Sequence, residues 1–112
     1  MEKEYIKYGA EWRRELGKHS KGGLSELFKI NVDLYSTKEK MIEAIRARLI
    51  IDDFNKKYAV GSTVYWRPVA NGTIDFQKMT VAMGAYISNG MPVCFFKERK
   101  GFCSIEPQFL EG

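Results

Sequence analysis

Residues 78–87 constrain the fold more than any other part of the chain. Apolar side chains recur there at every second position: Met79, Val81, Met83, Ala85 and Ile87. This period is typical of a β-strand with one face in the core and the other in solvent. Gly84 interrupts the pattern and indicates a bulge or a bend. The stretch therefore predicts a curved, half-buried strand.

Turn dipeptides on both sides of this stretch predict an antiparallel sheet. Asn71-Gly72 and Asn89-Gly90 tolerate the positive φ angles of tight hairpin turns, and Lys100-Gly101 is a third candidate. The predicted strands are residues 63–69, 73–87, 92–97 and 102–105. Four or five short strands are too few for a sandwich of usual size. We therefore expect a small antiparallel β-barrel of four or five strands, with helices over one opening.

Composition divides the chain into two regions. Residues 58–112 hold 9 of the 15 aromatic side chains, whereas residues 1–57 hold most of the charged ones. Apolar residues are 45% and charged residues 29% of the 112, which is typical of a globular chain. The fold class predicted is α+β. N-terminal helices over residues 1–57 precede the small antiparallel β-barrel over residues 58–112, in one compact unit.

The first predicted helix ends at a glycine and is followed by a glycine-containing loop. Tyr8, Trp12 and Leu16 lie four residues apart, on one helical stripe. Gly17 is a natural end for this helix, because glycine readily adopts the conformations that close a helix. Residues 17–23 carry three glycines and two lysines and are predicted to be a flexible basic loop.

A capping box begins the longest predicted helix. Residues 36–39 read Ser-Thr-Lys-Glu, in which the serine hydroxyl accepts from the Glu39 amide and the carboxylate reaches back. The helix is expected over residues 37–57, after a short helix at residues 24–28 and an extended passage at residues 30–34. Its apolar side comprises Met41, Ile42, Ile45, Leu49 and Phe54.

Several classes of protein are excluded or disfavoured by the sequence. No run approaches the ~20 apolar residues of a membrane helix. The residues after Met1 are charged and lack the apolar core of a secretory signal. Two cysteines cannot build a disulfide framework, so we expect a reducing, cytoplasmic location. The net charge of +4 permits an anionic partner without requiring one.

Signatures of catalysis and of metal binding are missing from the sequence. Gly17-Lys18 is followed by His19 instead of Ser or Thr, so the phosphate-loop pattern fails. His19 is the only histidine, and a structural zinc needs four ligands at close spacing. Asp52-Asp53 are adjacent on a predicted helix and therefore point apart. We expect no catalytic residues, no metal and no cofactor.

The register of the last hairpin leaves the two cysteines in one of three arrangements. A turn centred on residues 98–99 places Cys94 opposite Cys103, where a disulfide is sterically conceivable. A turn centred on residues 99–100 sets the thiols diagonally on one face, too far apart to bridge. A bulge at Gly101 turns Cys103 away from Cys94 altogether. In each case we interpret both as reduced, buried thiols.

Three segments of the second half resemble a known small barrel. Residues 60–66 (VGSTVYW), residues 92–96 (PVCFF) and residues 104–107 (SIEP) are similar to the Src-homology type, which is shared with Tudor and KOW modules. The likeness covers about half the chain. Residues 7–15 (KYGAEWRRE) resemble the opening of small phage and mobile-element proteins. Neither resemblance carries a catalytic residue.

Two groups of side chains are the candidate binding site. On the predicted barrel surface, aromatic rings interleaved with cations suit bases and phosphates or a protein surface, and packing under the helices is the alternative interpretation. At the tip of the last hairpin, three cations suit phosphate or an acidic protein, whereas a soluble charged turn is the alternative. The candidates are Tyr65, Arg67, Lys78 and Tyr86 on the surface, and Lys97, Arg99 and Lys100 at the tip.

Two further basic segments lie in the first half. The loop of residues 17–23 presents backbone amides and two lysines before a helix, an arrangement that favours an anion. Arg13 and Arg14 are expected to project outward beside Glu11 and Glu15, while Trp12 packs inward. A mobile linker and a solvated helix face are the respective alternatives.

These features predict a non-enzymatic binding protein. The phage resemblance implies an accessory protein that occupies the surface of a protein or nucleoprotein partner, for example an inhibitor of bacterial defence of the anti-CRISPR type. The alternative is a nucleic-acid-binding small-barrel module that uses the same surface. No membrane partner is expected, and the oligomeric state is not predicted.

Overall fold

The computed structural model describes residues 8–68 and 74–111, which form two compact units. One unit ends at Arg46 and the next begins at Ala47, so the division falls inside the longest helix. The helices are α1 (Ala10–Gly17), α2 (Lys21–Phe28) and α3 (Lys38–Lys57). The strands are β1 (Thr63–Trp66), β2 (Gln77–Ser88), β3 (Met91–Phe96) and β4 (Phe102–Ser104).

The connection between α1 and α2 is shorter than the sequence predicts. Helix α1 ends at Gly17, as expected. The prediction of a flexible loop over residues 17–23 is wrong from Lys21 onward, where a helix begins. The Ser20 hydroxyl accepts a hydrogen bond from the Gly23 amide at 3.0 Å. This N-cap satisfies a free amide of the first turn and starts α2 at Lys21.

The prediction of an extended segment at residues 30–34 is also wrong. Val32–Leu34 form a turn of 3-10 helix instead. The Asn31 side chain accepts from the Asp33 amide at 2.9 Å and so stabilises that turn. Apolar alternation over three positions is too short to outweigh such a local side-chain bond.

Helix α3 agrees with the prediction except at its cap. Its hydroxyl cap is Thr37, which accepts from the Lys40 amide at 3.1 Å, one residue later than the predicted capping box. The Lys38 ammonium donates to the Gly17 carbonyl at 2.7 Å, and this bond ties the start of α3 to the end of α1. Buried apolar side chains of this first unit include Leu16, Leu24, Met41, Ile42 and Ile45.

The second unit is built on a four-stranded antiparallel sheet in the order β1-β2-β3-β4. Asn89 and Gly90 have φ angles of 52° and 78°, which confirms the predicted hairpin turn between β2 and β3. The predicted turn at Asn71-Gly72 lies outside the described residues. The core side chains of this unit include Val64, Trp66, Met79, Val81, Phe96 and Ile105.

The C-terminal residues return to the free edge of β1. Leu110 forms an antiparallel bridge with Trp66, and the Glu111 amide donates to the Tyr65 carbonyl at 3.0 Å. The Trp66 indole also donates to the Ser104 carbonyl of β4 at 2.8 Å. The expected helices and antiparallel sheet are thus confirmed. The sheet itself is a curled half-barrel and is not fully closed over the described residues.

Candidate functional site

The sheet has an outer face that carries most of its exposed side chains. Strands β1 and β2 alternate between exposed or half-exposed and buried positions, and cross-strand partners share a face. Val64, Met79, Val81 and Phe96 therefore define the inner face. The exposed and half-exposed members of the outer face are Thr63, Tyr65, Lys78, Thr80, Met83, Tyr86, Phe95 and Phe102.

Two bulges in β2 turn Met83 onto the outer face. The register with β3 shifts between Val81 and Met83 and again between Met83 and Tyr86. Each shift inserts one extra residue, which inverts the alternation. Because the two shifts bracket Met83, this side chain alone leaves the predicted apolar side and is 50% exposed. Gly84 lies within the second shift, between Met83 and Tyr86, so the bulge that it indicated is confirmed.

Met83, Phe95 and Phe102 form a contiguous apolar row across β2, β3 and β4. Phe95 is the register partner of both Met83 and Phe102. Phe102 is 47% exposed and Phe95 is half-buried. The Tyr86 ring stacks on Phe95 with centroids 6.0 Å apart. The apolar row is therefore a surface of aromatic and thioether groups on three neighbouring strands.

A polar patch occupies the other half of the outer face, on β1 and the start of β2. Tyr65 and Lys78 are register partners and therefore lie side by side. The turn between β3 and β4 holds Thr80, whose amide and hydroxyl donate to the two Glu98 carboxylate oxygens, each at 2.7 Å. These hydrogen bonds lower the pKa of Glu98. Lys97 completes the polar patch, since its amide donates to the Thr80 carbonyl at 2.9 Å.

Two of the predicted cations lie over aromatic rings. The Arg67 guanidinium is 4.3 Å from the centre of the Phe76 ring. The Arg99 guanidinium is 4.9 Å from the centre of the Trp66 ring. Because Trp66 belongs to the inner face, Arg99 packs at the end of the core as well as being exposed. Both arginines thus contribute to the packing of aromatic side chains.

The structure places the predicted candidates in separate parts of the sheet and its last turn. Tyr65 and Lys78 lie side by side in the polar patch, Lys97 adjoins it through its backbone bond to Thr80, and Tyr86 belongs with the apolar row. Lys100 is exposed in the turn between β3 and β4. The sequence missed Met83, Phe95 and Phe102 as surface residues. Only Gly84 signalled the bulges, and nothing in the sequence indicated that Phe95 and Phe102 are accessible.

The basic segments of the first unit serve mainly to hold its helices together. Lys21 donates to the Tyr35 carbonyl at 2.8 Å. Arg13 does not project freely: its guanidinium donates to the Glu43 carboxylate, with one Nη2–Oε1 distance of 3.0 Å. This bond is the largest cause of the lowered pKa of Glu43. Arg14 is exposed, as expected.

The residues considered above for catalysis and metal binding lie on different elements of the chain. His19 is exposed in the α1–α2 connection, and Asp52 and Asp53 are exposed on α3. Cys94 and Cys103 are free, buried and opposite each other in the β3–β4 ladder, so the first of the three registers is confirmed. Within residues 8–68 and 74–111, no three His, Cys, Asp or Glu side chains come together as a metal site.

Comparisons with family models, curated proteins and solved structures found no match. The geometry of the outer face therefore carries the functional argument. Among the described residues, no helix has the length and apolar character needed to cross a bilayer.

Proposed function

We propose that this chain is a non-enzymatic binding protein that engages a protein partner through the outer face of its sheet. The apolar row carries the proposal. Single exposed apolar groups are normal on a soluble surface, whereas a contiguous row is typical of a contact site. Phe102 and the Tyr86–Phe95 stack are rigid rings, and such rings are the usual anchors of protein interfaces.

The charges around the apolar row define the chemistry of the partner. Lys78, Lys97, Arg99 and Lys100 are exposed on the sheet and its last turn. Glu98, the acidic residue of that turn, is bonded to Thr80. A partner surface with an apolar centre and acidic residues around it complements this arrangement, because opposite charges speed encounter and fix orientation.

Affinity capture with matched variants tests this proposal. The wild type, Phe102→Asp and Leu34→Asp are each used to capture proteins from a lysate of the source cells after nuclease treatment. Leu34 is a matched control, since it is an apolar residue 71% exposed in the first unit. We expect a protein that wild type and Leu34→Asp retain equally and that Phe102→Asp retains at least tenfold less. Equal retention by all three would remove the outer face as the binding site.

A narrower form of the proposal is stoichiometric inhibition of a bacterial defence complex in the cytoplasm. The similarity of residues 7–15 to phage proteins supports it, although Lys7 lies outside the described residues. Expression of the chain in a bacterium with an active defence system should restore phage plaques, and Phe102→Asp should not. Unchanged plaque counts across several defence types would refute the inhibitor role.

Nucleic-acid binding is the second candidate, and the Tyr65–Lys78 pair favours it. A ring next to a cation on an exposed strand face can stack a base and neutralise a phosphate. Binding of this kind weakens steeply as salt rises, because phosphate contacts release counterions. A gel-shift titration of single-stranded DNA and RNA at two salt concentrations decides the question. A flat salt response, or no shift, eliminates the candidate.

We also propose that the curled sheet closes as a small barrel of the Src-homology type, with Leu110 and Glu111, which follow the 3-10 turn Pro107–Phe109, as a short fifth strand. The supporting contacts are the bridge between Trp66 and Leu110 and the bond from the Glu111 amide. Hydrogen exchange measures closure directly. The Glu111 amide should be protected as strongly as the amides of β1, and exchange at the rate of an unstructured peptide would contradict closure.

A further inference from the structure

Cys94 and Cys103 form a cross-strand pair of free thiols. They are register partners in the β3–β4 ladder, and both are buried. The Ile105 amide donates to the Pro92 carbonyl at 3.1 Å, so the cysteines, two residues further along each strand, also occupy a hydrogen-bonded pair. The Cα atoms of such a pair are about 5.5 Å apart, within the range that a disulfide spans. The Cβ atoms of directly opposite residues are about 4.5–5.5 Å apart, whereas a disulfide needs about 3.5–4.5 Å, so the bond forms once the two strands move slightly closer.

We propose that Cys94 and Cys103 are a thiol-oxidation site, at which a peroxide converts the pair into an intramolecular disulfide in the folded protein. The bond would join the inner-face side chains next to the Phe95–Phe102 pair and fix the register of the last hairpin. Because the site lies on the inner face, it is separate from the outer-face contacts argued above.

Cys103 is the residue that reacts first. It is 6% exposed, whereas Cys94 is 0% exposed. Burial raises the pKa of both thiols, to about 11 for Cys94, while the neighbouring Arg99 charge opposes the rise at Cys103. Since the thiolate is the nucleophile, the arginine favours Cys103 over Cys94. The raised pKa values also make the reaction slow at neutral pH.

The reaction balances in two steps. The Cys103 thiol loses its proton, and the thiolate attacks one oxygen of hydrogen peroxide, which breaks the O–O bond and leaves a sulfenic acid and one water. The Cys94 sulfur then attacks the Cys103 sulfur, so that the S–S bond forms and the S–O bond breaks. The departing hydroxide takes up the Cys94 thiol proton and leaves as a second water. Two electrons pass from the thiols to the peroxide.

Peptide mapping of peroxide-treated protein tests the proposal. Trypsin cleaves after Lys78, Lys97 and Lys100, and so places the two cysteines in separate peptides, residues 79–97 and 101–112. We expect the folded monomer to lose two hydrogen atoms in mass and to yield these peptides as one linked species that a reductant separates. Two unmodified thiols, links between chains, or sulfinic acid without linkage would each overturn the proposal.

Three controls assign the order and the need for the fold. Cys94→Ser should accumulate a sulfenic acid at Cys103 that dimedone traps, whereas Cys103→Ser should be modified several-fold more slowly. Arg99→Lys keeps the charge and should react like wild type, while Arg99→Ala should react more slowly. For each sulfenic acid formed, folded protein should give more linked peptide than urea-unfolded protein, whose exposed thiols react faster but are not held opposite each other. If the unfolded chain gives the larger linked share per sulfenic acid, the fold does not prepare the bond.

Discussion

The two halves of the outer face differ in how much their side chains interact with neighbouring side chains. In the polar patch, Thr80 and Glu98 bond to each other, and Tyr65 lies against Lys78. In the apolar row, Met83 and Phe102 remain about half exposed with the ladder beneath them. Burial of apolar surface drives association, whereas exposed charges contribute little to affinity. In the proposed complex, the apolar row would therefore supply most of the affinity, and the charges of the polar patch would speed the encounter of the two proteins.

The largest expected effect comes from placing charge in the apolar row. The Met83→Asp/Phe102→Asp double variant should lower the affinity for the captured partner by at least about 30-fold, the usual loss at an interface anchor. Isothermal calorimetry with the purified partner measures it. If the Tyr65→Asp/Lys78→Asp variant loses affinity and the apolar-row variant does not, the polar patch and not the apolar row supplies the affinity.

The next effect concerns the second bulge of β2, between Met83 and Tyr86. The Asn55 amide oxygen accepts from the Ala85 amide at 2.8 Å, and its NH₂ donates to the Ala85 carbonyl at 3.3 Å. These bonds satisfy the backbone beside the second bulge. Asn55→Ala should therefore destabilise the protein by about 1–3 kcal/mol in urea unfolding. Asn55→Asp keeps the oxygen that accepts from the Ala85 amide and should lower the free energy of unfolding by less than Asn55→Ala. Equal decreases for the two variants would show that these hydrogen bonds do not cause the destabilisation.

A smaller effect is expected when the charge of the polar patch changes. Lys78→Ala should reduce the association rate with the partner by a few-fold at low salt and leave the dissociation rate nearly unchanged. Lys40→Ala, an exposed lysine on α3, is the matched control. Stopped-flow kinetics at two ionic strengths measure both variants. A large rise in the dissociation rate of Lys78→Ala would mean that this lysine anchors the complex.

The smallest effect is a pH dependence within the polar patch. The hydrogen bonds from Thr80 lower the pKa of Glu98 below its ordinary 4.5. The ionised carboxylate therefore stabilises the fold above pH 4.5, and this contribution is lost as the pH falls through the lowered pKa. The melting temperature of wild type should fall more steeply with acid than that of Glu98→Gln. Parallel curves would contradict the Thr80–Glu98 bond.

The elements with several agreeing signals could be predicted from the sequence. Helix α3 combines a hydroxyl at its start with an apolar stripe, and the Asn89-Gly90 turn requires the positive φ angles that it has. Residues 30–34 and Lys21–Gly23 were predicted incorrectly, because single side-chain bonds from Asn31 and Ser20 decide those short segments. Local patterns over a few residues do not resolve such competition.

The candidate site could be predicted only in part from the sequence. Strict alternation placed Met83 in the core with Met79 and Val81, and only register with β3 reveals that two bulges turn it outward. Phe95 follows two buried residues, so its half exposure depends on long-range packing. The neighbouring positions of Tyr65 and Lys78 likewise depend on a pairing that no local pattern specifies.

Oxidative footprinting of the methionines tests the central claim most directly. Met79 and Met83 lie four residues apart on β2, and they are 3% and 50% exposed. Brief hydroxyl-radical treatment of the folded protein, read by mass spectrometry, should convert Met83 to its sulfoxide at least tenfold faster than Met79. Equal protection of the two methionines would mean that β2 alternates without bulges, and the apolar row would not exist.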